Sequence, residues 1–323
     1  MSQNHHTSGP GGPGLLLINP RAGGAAQATW MERVREQWKT AGDYQVIEIP
    51  QDRDIQDFAK ELTEQQPGWI AVAGGDGTVE SVATALIGTR VPLLVLPVGT
   101  YNNFARSLGI PTDPVEAASL LTSGQPEWID AGEVNGRHFY ESVGVGIDAA
   151  LYPESEAIKQ GNIMRWFRLL KKAKQFKPAP VWVTLDRPVE EAFSDQTEPA
   201  LRRMLREGAS QPGEHGFRAK MLMMTVSNGP LFGANFAVAP QQSLTDGLLT
   251  LSLFSHFSKP QLWWHFWTIS FGRYRYQPKT IVMRAAEIDI NAPDPWPVHL
   301  DGDPLEAWPL KLRCQGGALQ VFR

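Results

Sequence analysis

Gly74-Gly75-Asp76-Gly77-Thr78 sets one carboxylate among three glycines. The five residues stand where an apolar run, Trp69–Ala73, gives way to a helical pattern over Val79–Ile87. Glycines at such a turn let the backbone approach an anion closely, and the helix start adds free N–H groups and the positive end of a dipole. A carboxylate in that place lies beside bound phosphates, where a metal ion or an acceptor hydroxyl also has to be. The chemistry this points to is phosphoryl transfer rather than phosphate holding alone.

Two further loops carry matching groups. Gly99-Thr100-Tyr101-Asn102-Asn103-Phe104-Ala105-Arg106 offers a hydroxyl and amides suited to phosphate or ribose oxygens, and also fits plain helix N-capping. Asn19-Pro20-Arg21-Ala22-Gly23-Gly24 reads equally as a strand-terminating turn. Taken together, three such loops at strand ends make a constellation. Near the C-terminus, Asp301-Gly302-Asp303 places two carboxylates around a glycine turn, and Asp246-Gly247 is either a turn or an outlying metal site. Other motifs fail on context. No Gly-Lys-Ser/Thr sequence exists, so a Walker-type loop is absent. Gly144-Val145-Gly146 imitates a dinucleotide fingerprint but follows a hairpin instead of opening a βαβ unit. The seven histidines are scattered, and His299 beside Asp301 reads as structural.

These loops need a scaffold, and the first third of the chain repeats one: apolar run, glycine-rich or polar turn, amphipathic helix. Leu15–Ile18, Tyr44–Ile49, Trp69–Ala73 and Val91–Pro97 are the expected strands. Strands alternating with helices imply a parallel sheet covered on both faces, with ligands at the carboxyl ends of its strands. After about residue 125 the texture changes to many strands and few helices. Ile129–Val134, Asn135-Gly136 and Arg137–Val143 read as a hairpin. Runs at Val181–Leu185, Phe217–Val226, Leu248–Phe254, Thr280–Ile290, Pro309–Arg313 and Leu319–Phe322 suggest a β-sandwich. Helical stretches at about 156–176 and 259–271 interrupt it, the first basic and aromatic, and a short helix is expected near 200–206.

Composition sets outer limits. The 323 residues leave room for two domains, and 42% hydrophobic with 20% charged residues is ordinary for a folded protein. A net charge of -4 argues against general nucleic-acid binding. One cysteine, Cys314, permits no internal disulfide and fits a reducing cytoplasm. Residues 1–13 read as a flexible tail and not as a signal peptide, and no apolar stretch reaches the ~18–20 residues of a spanning helix.

The sequence resembles the diacylglycerol kinase catalytic-domain family, which includes bacterial lipid kinases and sphingosine and ceramide kinases. The resemblance rests on Asn19-Pro20 with Gly23, Gly74–Val79, Pro97–Arg106, Gly144–Ala149, Ser227-Asn-Gly229 with Gly233, Ala239-Pro240, Asp246–Leu249 and Asp301–Asp303, in family order. It implies an α/β fold: an N-terminal Rossmann-like nucleotide-binding domain with a parallel sheet, then an antiparallel β-sandwich domain. The expected bounds are 14–125 for the first, 126–304 for the lipid-substrate domain with a polar insertion at about 186–216, and 305–323 returning to the first. The implied activity is ATP- and Mg2+-dependent phosphorylation of a hydroxyl on diacylglycerol or a related lipid. Asn19, Gly23, Gly74, Gly75, Gly77, Thr78, Gly99, Thr100 and Asn102 would contact nucleotide. Asp76, Asp303 and Asp301 are the expected catalytic carboxylates, with Asp76, Asp303 and Asp246 the metal ligands. Which carboxylate is the base stays open.

Several positions depart from the family pattern. Asn103 stands where bacterial members usually have Asp, Asp303 where Glu is usual, Gly24 where some have Lys, and Thr250 where Asp is frequent. They keep one alternative in play, a weak or inactive kinase-fold regulator, and the Gly74–Gly77 signature, which NAD kinases share, keeps a second, an NAD kinase-like enzyme. The expected partner is a lipid presented by a membrane, with transient peripheral contact from the cytoplasmic side and no nucleic acid. A homodimer is compatible with the resemblance, and oligomeric state stays open.

Overall fold

A computed structural model describes residues 13–22, 27–40, 42–147, 149–150, 176–193, 208, 213–232, 236–237, 239, 242–254 and 280–323. The chain divides into two compact units, Met1–Asp130 with Gly317–Arg323, and Ala131–Gly316.

The first unit is built on four parallel strands, β1 (Gly14–Ile18), β2 (Tyr44–Glu48), β3 (Ile70–Gly74) and β4 (Leu93–Pro97), in the order β2-β1-β3-β4. β1, β3 and β4 are buried along their whole length. That is why they read as unbroken apolar runs instead of alternating ones: both faces of a parallel sheet are covered. The crossovers are helices α1 (Gln27–Gln37), α2 (Ile55–Thr63) and α3 (Asp76–Leu86). α2 starts where Asp54 Oδ1 accepts the Asp57 N–H at 2.9 Å, an acidic N-cap. Three short helices follow β4: α4 (Asn103–Ser107), α5 (Pro114–Ala118) and α6 (Leu120–Ser123). Trp38, fully buried, donates Nε1–H to the Ala118 carbonyl at 2.9 Å and meets Trp69 and Tyr44 edge-on at 5.3 and 5.4 Å. This aromatic cluster fixes the far edge of the sheet. Val321, close to the C-terminus, pairs in parallel with Leu93 of β4.

The second unit is an antiparallel sandwich. Its hairpin of β5 (Pro126–Val134) and β6 (Arg137–Phe139) turns at Asn135 (φ 49°) and Gly136 (φ 83°), the left-handed pair that a two-residue loop requires. The remaining strands are β7 (Ser142–Gly146), β8 (Ala179–Leu185), β9 (Gly216–Met221), β10 (Met223–Ser227), β11 (Leu231–Phe232), β12 (Phe236–Ala237), β13 (Leu249–Phe254), β14 (Thr280–Ala285), β15 (Glu287–Asn291), β16 (Val298–Leu300), β17 (Asp303–Pro304) and β18 (Leu310–Phe322). One sheet runs β14-β13-β10-β7-β16-β17; β18, β15, β8 and β9 pair antiparallel in the other. Val143, Val145, Met224 and Leu251 from the first sheet share a core with Val181, Val183, Ile288 and Leu312 from the second.

Four expected strands differ from what forms. The run Phe217–Val226 breaks at Leu222, and the run Thr280–Ile290 breaks at Ala286; each supplies one strand to each sheet. At the second corner Asp186 Oδ1 accepts the N–H groups of Ala286 and Glu287 at 3.0 and 3.3 Å. Both halves of each run face one apolar core, and neither corner carries a glycine or proline to mark it. Conversely, the expected separate strands Pro309–Arg313 and Leu319–Phe322 are one strand. Gly317 (φ 58°) passes through the left-handed region while its N–H donates to Asp130 Oδ1 at 2.9 Å, so the chain kinks without ending the ladder. The helical stretches expected at about 156–176, 200–206 and 259–271 lie outside the described residues.

Candidate active site

Strand order reverses between β1 and β3, since the connection from β1 runs to one side of it and β3 lies on the other. In an open α/β sheet this reversal splays the loops apart and leaves a crevice at the carboxyl ends. All three expected loops leave from there. After β1, Asn19 donates its N–H to Ala73 O at 3.0 Å and its Nδ2–H to Thr78 Oγ1 at 2.7 Å, while its Oδ1 accepts from Arg21 N at 2.9 Å. The first loop is thereby tied to the start of α3. After β4, Val98 N–H donates to Gly74 O at 3.2 Å. A Cβ on Gly99 would lie 2.5 Å from Gly75 Cα, so the second and third loops touch backbone to backbone. Only glycine allows this approach.

Asp76 opens α3 directly after Gly75. Its Oδ1 accepts the Phe104 N–H at 3.1 Å, so the same carboxylate caps α4. It is half-buried. Burial pushes its pKa up, and N–H groups of Phe104, Asn102 and Asn103 pull the other way. Asn102 sits at φ 53°, ψ 43°, and its amide clasps its own loop: Oδ1 accepts from Gly99 N at 2.9 Å and Nδ2 donates to Gly99 O at 3.1 Å. Expected as a nucleotide contact, Asn102 here shapes the loop. Thr100 and Gly77 are exposed, Thr78 and Asn103 are buried, and Gly23 lies outside the described residues.

One side chain escaped the sequence-based site. Arg21 is exposed in the first loop, with Nε and Nη2 donating to Gln51 Oε1 at 3.3 and 3.1 Å. The available signal was charge, because Arg21 is the one ionisable side chain between Asn19 and Trp30.

Do these residues fit a magnesium nucleotide? Glycine backbone and a helix start face the crevice, and one N–H-oriented carboxylate stands among them. No group of three or more His, Cys, Asp or Glu side chains able to hold a metal occurs among the described residues. A divalent ion here would draw further ligands from phosphates and water, as Mg2+ commonly does, and the site fits on that basis.

In the second unit the expected acidic residues have different fates. Asp301 (φ 47°) and Gly302 (φ 99°) form the two-residue turn between β16 and β17. Asp301 Oδ2 accepts Tyr140 N–H at 2.9 Å, and its Oδ1 accepts Glu141 and Ser142 N–H at 3.1 and 2.7 Å. Both oxygens staple the turn to the segment before β7, so Asp301 is a positioning residue in this geometry and not a free reagent. Its carboxyl is enclosed, which pushes its pKa up to about 6 against the opposing pull of those N–H groups and of His299. Asp303 is exposed on β17. Asp246 pairs with Arg284, and its Oδ1 accepts Leu248 N–H at 3.2 Å. Gly144 has a packing role: a Cβ there would lie 2.1 Å from Nε2 of the buried His299.

A glycine-lined switch-point crevice with one held carboxylate in the first unit, and an antiparallel sandwich as the second, define a two-domain α/β class. Comparison with known proteins makes this specific. Residues 13–134 match the diacylglycerol kinase catalytic domain, and residues 141–323 match the YegS C-terminal NAD kinase beta sandwich-like domain. The chain belongs to the diacylglycerol kinase catalytic-domain family with a YegS-type C-terminal domain. It is 27% identical over 263 residues to a diacylglycerol kinase of Mycobacterium tuberculosis, covering 79% of this chain and 76% of that protein. It is 27% identical over 277 residues to a probable YegS-like lipid kinase of Pseudomonas aeruginosa, covering 84% and 82%. A crystal structure of a putative diacylglycerol kinase from Bacillus anthracis matches the fold with a TM-score of 0.74 at 22% identity, covering 100% of this chain and 98% of that one.

Proposed function

We propose that this protein is an ATP- and Mg2+-dependent lipid kinase acting on a hydroxyl of diacylglycerol or a related lipid. The observation that carries the reading is Asp76, a half-buried carboxylate at the start of α3 held by the N–H of Phe104. Mg2+ bound with ATP would neutralise phosphate charge as it develops. Asp76 would hold the ion, with the Gly74–Gly77 backbone and the Asn19–Thr78 pair lining the phosphates. Arg21 would add a cation to the same loop cluster. The lipid oxygen forms its bond to the γ-phosphorus as the bond to ADP breaks, and the hydroxyl proton passes to a carboxylate, for which Asp303 is proposed. The lipid would be met at a membrane surface. Among the described residues no helix is long and apolar enough to cross one.

Asp76→Asn tests this, because the amide keeps one oxygen for the Phe104 N–H while removing the charge and the second acceptor oxygen. Incubated with labelled ATP, Mg2+ and diacylglycerol in mixed micelles, the variant is expected to lose ~10²–10⁴-fold in turnover with its fold intact. Wild-type turnover in that variant overturns the assignment. The C-terminal family model is described by its likeness to NAD kinase, so NAD is the second acceptor to assay. Transfer to NAD and not to lipid would replace the lipid reading, and transfer to neither across a lipid extract would favour a non-catalytic binder.

A further inference from the structure

Residues Ser243–Leu248 form the loop leading into β13, and Gly247 (φ 70°) turns it. The main-chain oxygens of Ser243 and Leu248 converge on one atom, Gln242 Nε2, at 2.7 and 2.6 Å. Gln242 Oε1 accepts from Thr250 Oγ1. The two carbonyls, which can only accept, fix the amide orientation, nitrogen to carbonyls and oxygen to the hydroxyl. In the same loop Asp246 Oδ2 pairs with Arg284 Nη2. Backbone carbonyls plus a carboxylate in a short glycine-turned loop are the oxygen types that hold Ca2+ or Mg2+. Here each of those oxygens already accepts from a nitrogen of the chain.

We propose that Gln242 and Arg284 stand in for the accessory divalent cation that the family resemblance assigns to Asp246, so that this loop is built without metal. The amide spends both its N–H groups on the two carbonyls, and the guanidinium neutralises the carboxylate. Thr250 reinforces the arrangement by supplying a hydroxyl donor to Gln242, where a further carboxylate would have favoured a cation. An ion entering here would have to displace two side chains and leave the arginine without its partner.

The test uses the full chain free of nucleotide, with unfolding temperature and calorimetric titration read in chelator, Ca2+ and Mg2+. Wild type and Asp246→Asn are expected to show the same response to cation. Gln242→Glu replaces the donor by a carboxylate facing two carbonyls. It is expected to melt lower in chelator and to recover with Ca2+, with a dissociation constant of roughly 10⁻⁴–10⁻³ M, the range of weaker oxygen sites. Cation stabilisation of the wild type that Asp246→Asn abolishes would overturn the proposal, and so would indifference of Gln242→Glu to cation. If Gln242→Glu folds in neither condition, Arg284→Gln carries the same test: a gained, Asp246-dependent response supports the substitution of metal by side chains, and no gain refutes it. The readout is cation binding, so its failure is distinct from failure of the kinase reading.

Discussion

Asp76 and Asp301 occupy similar sentences of sequence, each beside glycine and each aimed at a cluster of backbone N–H groups, yet the two units use them in opposite ways. Asp301 gives both oxygens to Tyr140, Glu141 and Ser142, and its carboxylate is enclosed. Asp76 caps α4 through Phe104 but stays half-buried at the carboxyl ends of parallel strands. N–H groups orient both carboxylates; their place separates them, since the Asp301 oxygens tie a hairpin turn to a neighbouring strand while Asp76 stands among the loops at the carboxyl ends of the parallel strands. A rigidly oriented group that still reaches the crevice is what a catalytic ligand requires.

The largest expected effect that would break this contrast is Asp76→Asn, whose loss of phosphotransfer by ~10²–10⁴-fold should come with almost no change in unfolding temperature. Asp301→Ala is the mirror image. It leaves three N–H groups without their acceptor, at a cost on the order of 1–3 kcal/mol for each one that stays buried. Chemical denaturation should therefore show a severely destabilised protein, with Asp301→Asn intermediate because its amide oxygen still accepts. If Asp301→Ala were stable and inactive, the roles of the two carboxylates would be exchanged. Arg21→Ala is expected to be milder. A charge-assisted contact to phosphate contributes about 1.5–3 kcal/mol, so KM for ATP should rise by roughly 10- to 150-fold with kcat kept. A fall in kcat with KM unchanged would place Arg21 in the transition state instead.

The parallel unit was legible because its physics is local. Buried strands read as apolar runs, and glycines mark where β3 and β4 hand over to the loops. The sandwich was legible as a class but not in its joints. Leu222 and Ala286 move the chain between sheets without a glycine or proline to mark the corner, and Gly317, which reads as a stop, is a kink within one strand. The same limit applies to the acidic motifs. Asp246, Asp301 and Asp303 look equally available in sequence, and only the partners found in space, Arg284 for one and three N–H groups for another, tell them apart. Arg21 was missed for the converse reason: a single exposed arginine in a loop becomes informative once the strand order shows where that loop leads.

The smallest predicted effect is also the most discriminating, because it asks whether Asp301 is truly enclosed. In the folded protein its carboxyl holds a proton up to about pH 6, whereas its ordinary value is 3.8. Between those values the unfolded chain binds fewer protons at this site than the folded one, so stability falls as pH rises. Above the window the folded state carries the full cost of an enclosed charge, and below it none. Asp301→Asn cannot titrate. The difference in unfolding free energy between wild type and Asp301→Asn should therefore shift against the wild type from about pH 4 to about pH 6 and then level off, while all other carboxylates cancel in the subtraction. A difference that moves the other way would mean that the three N–H donors outweigh burial. Asp301 would then behave as a stabilised anion, and its contrast with Asp76 would rest on geometry alone.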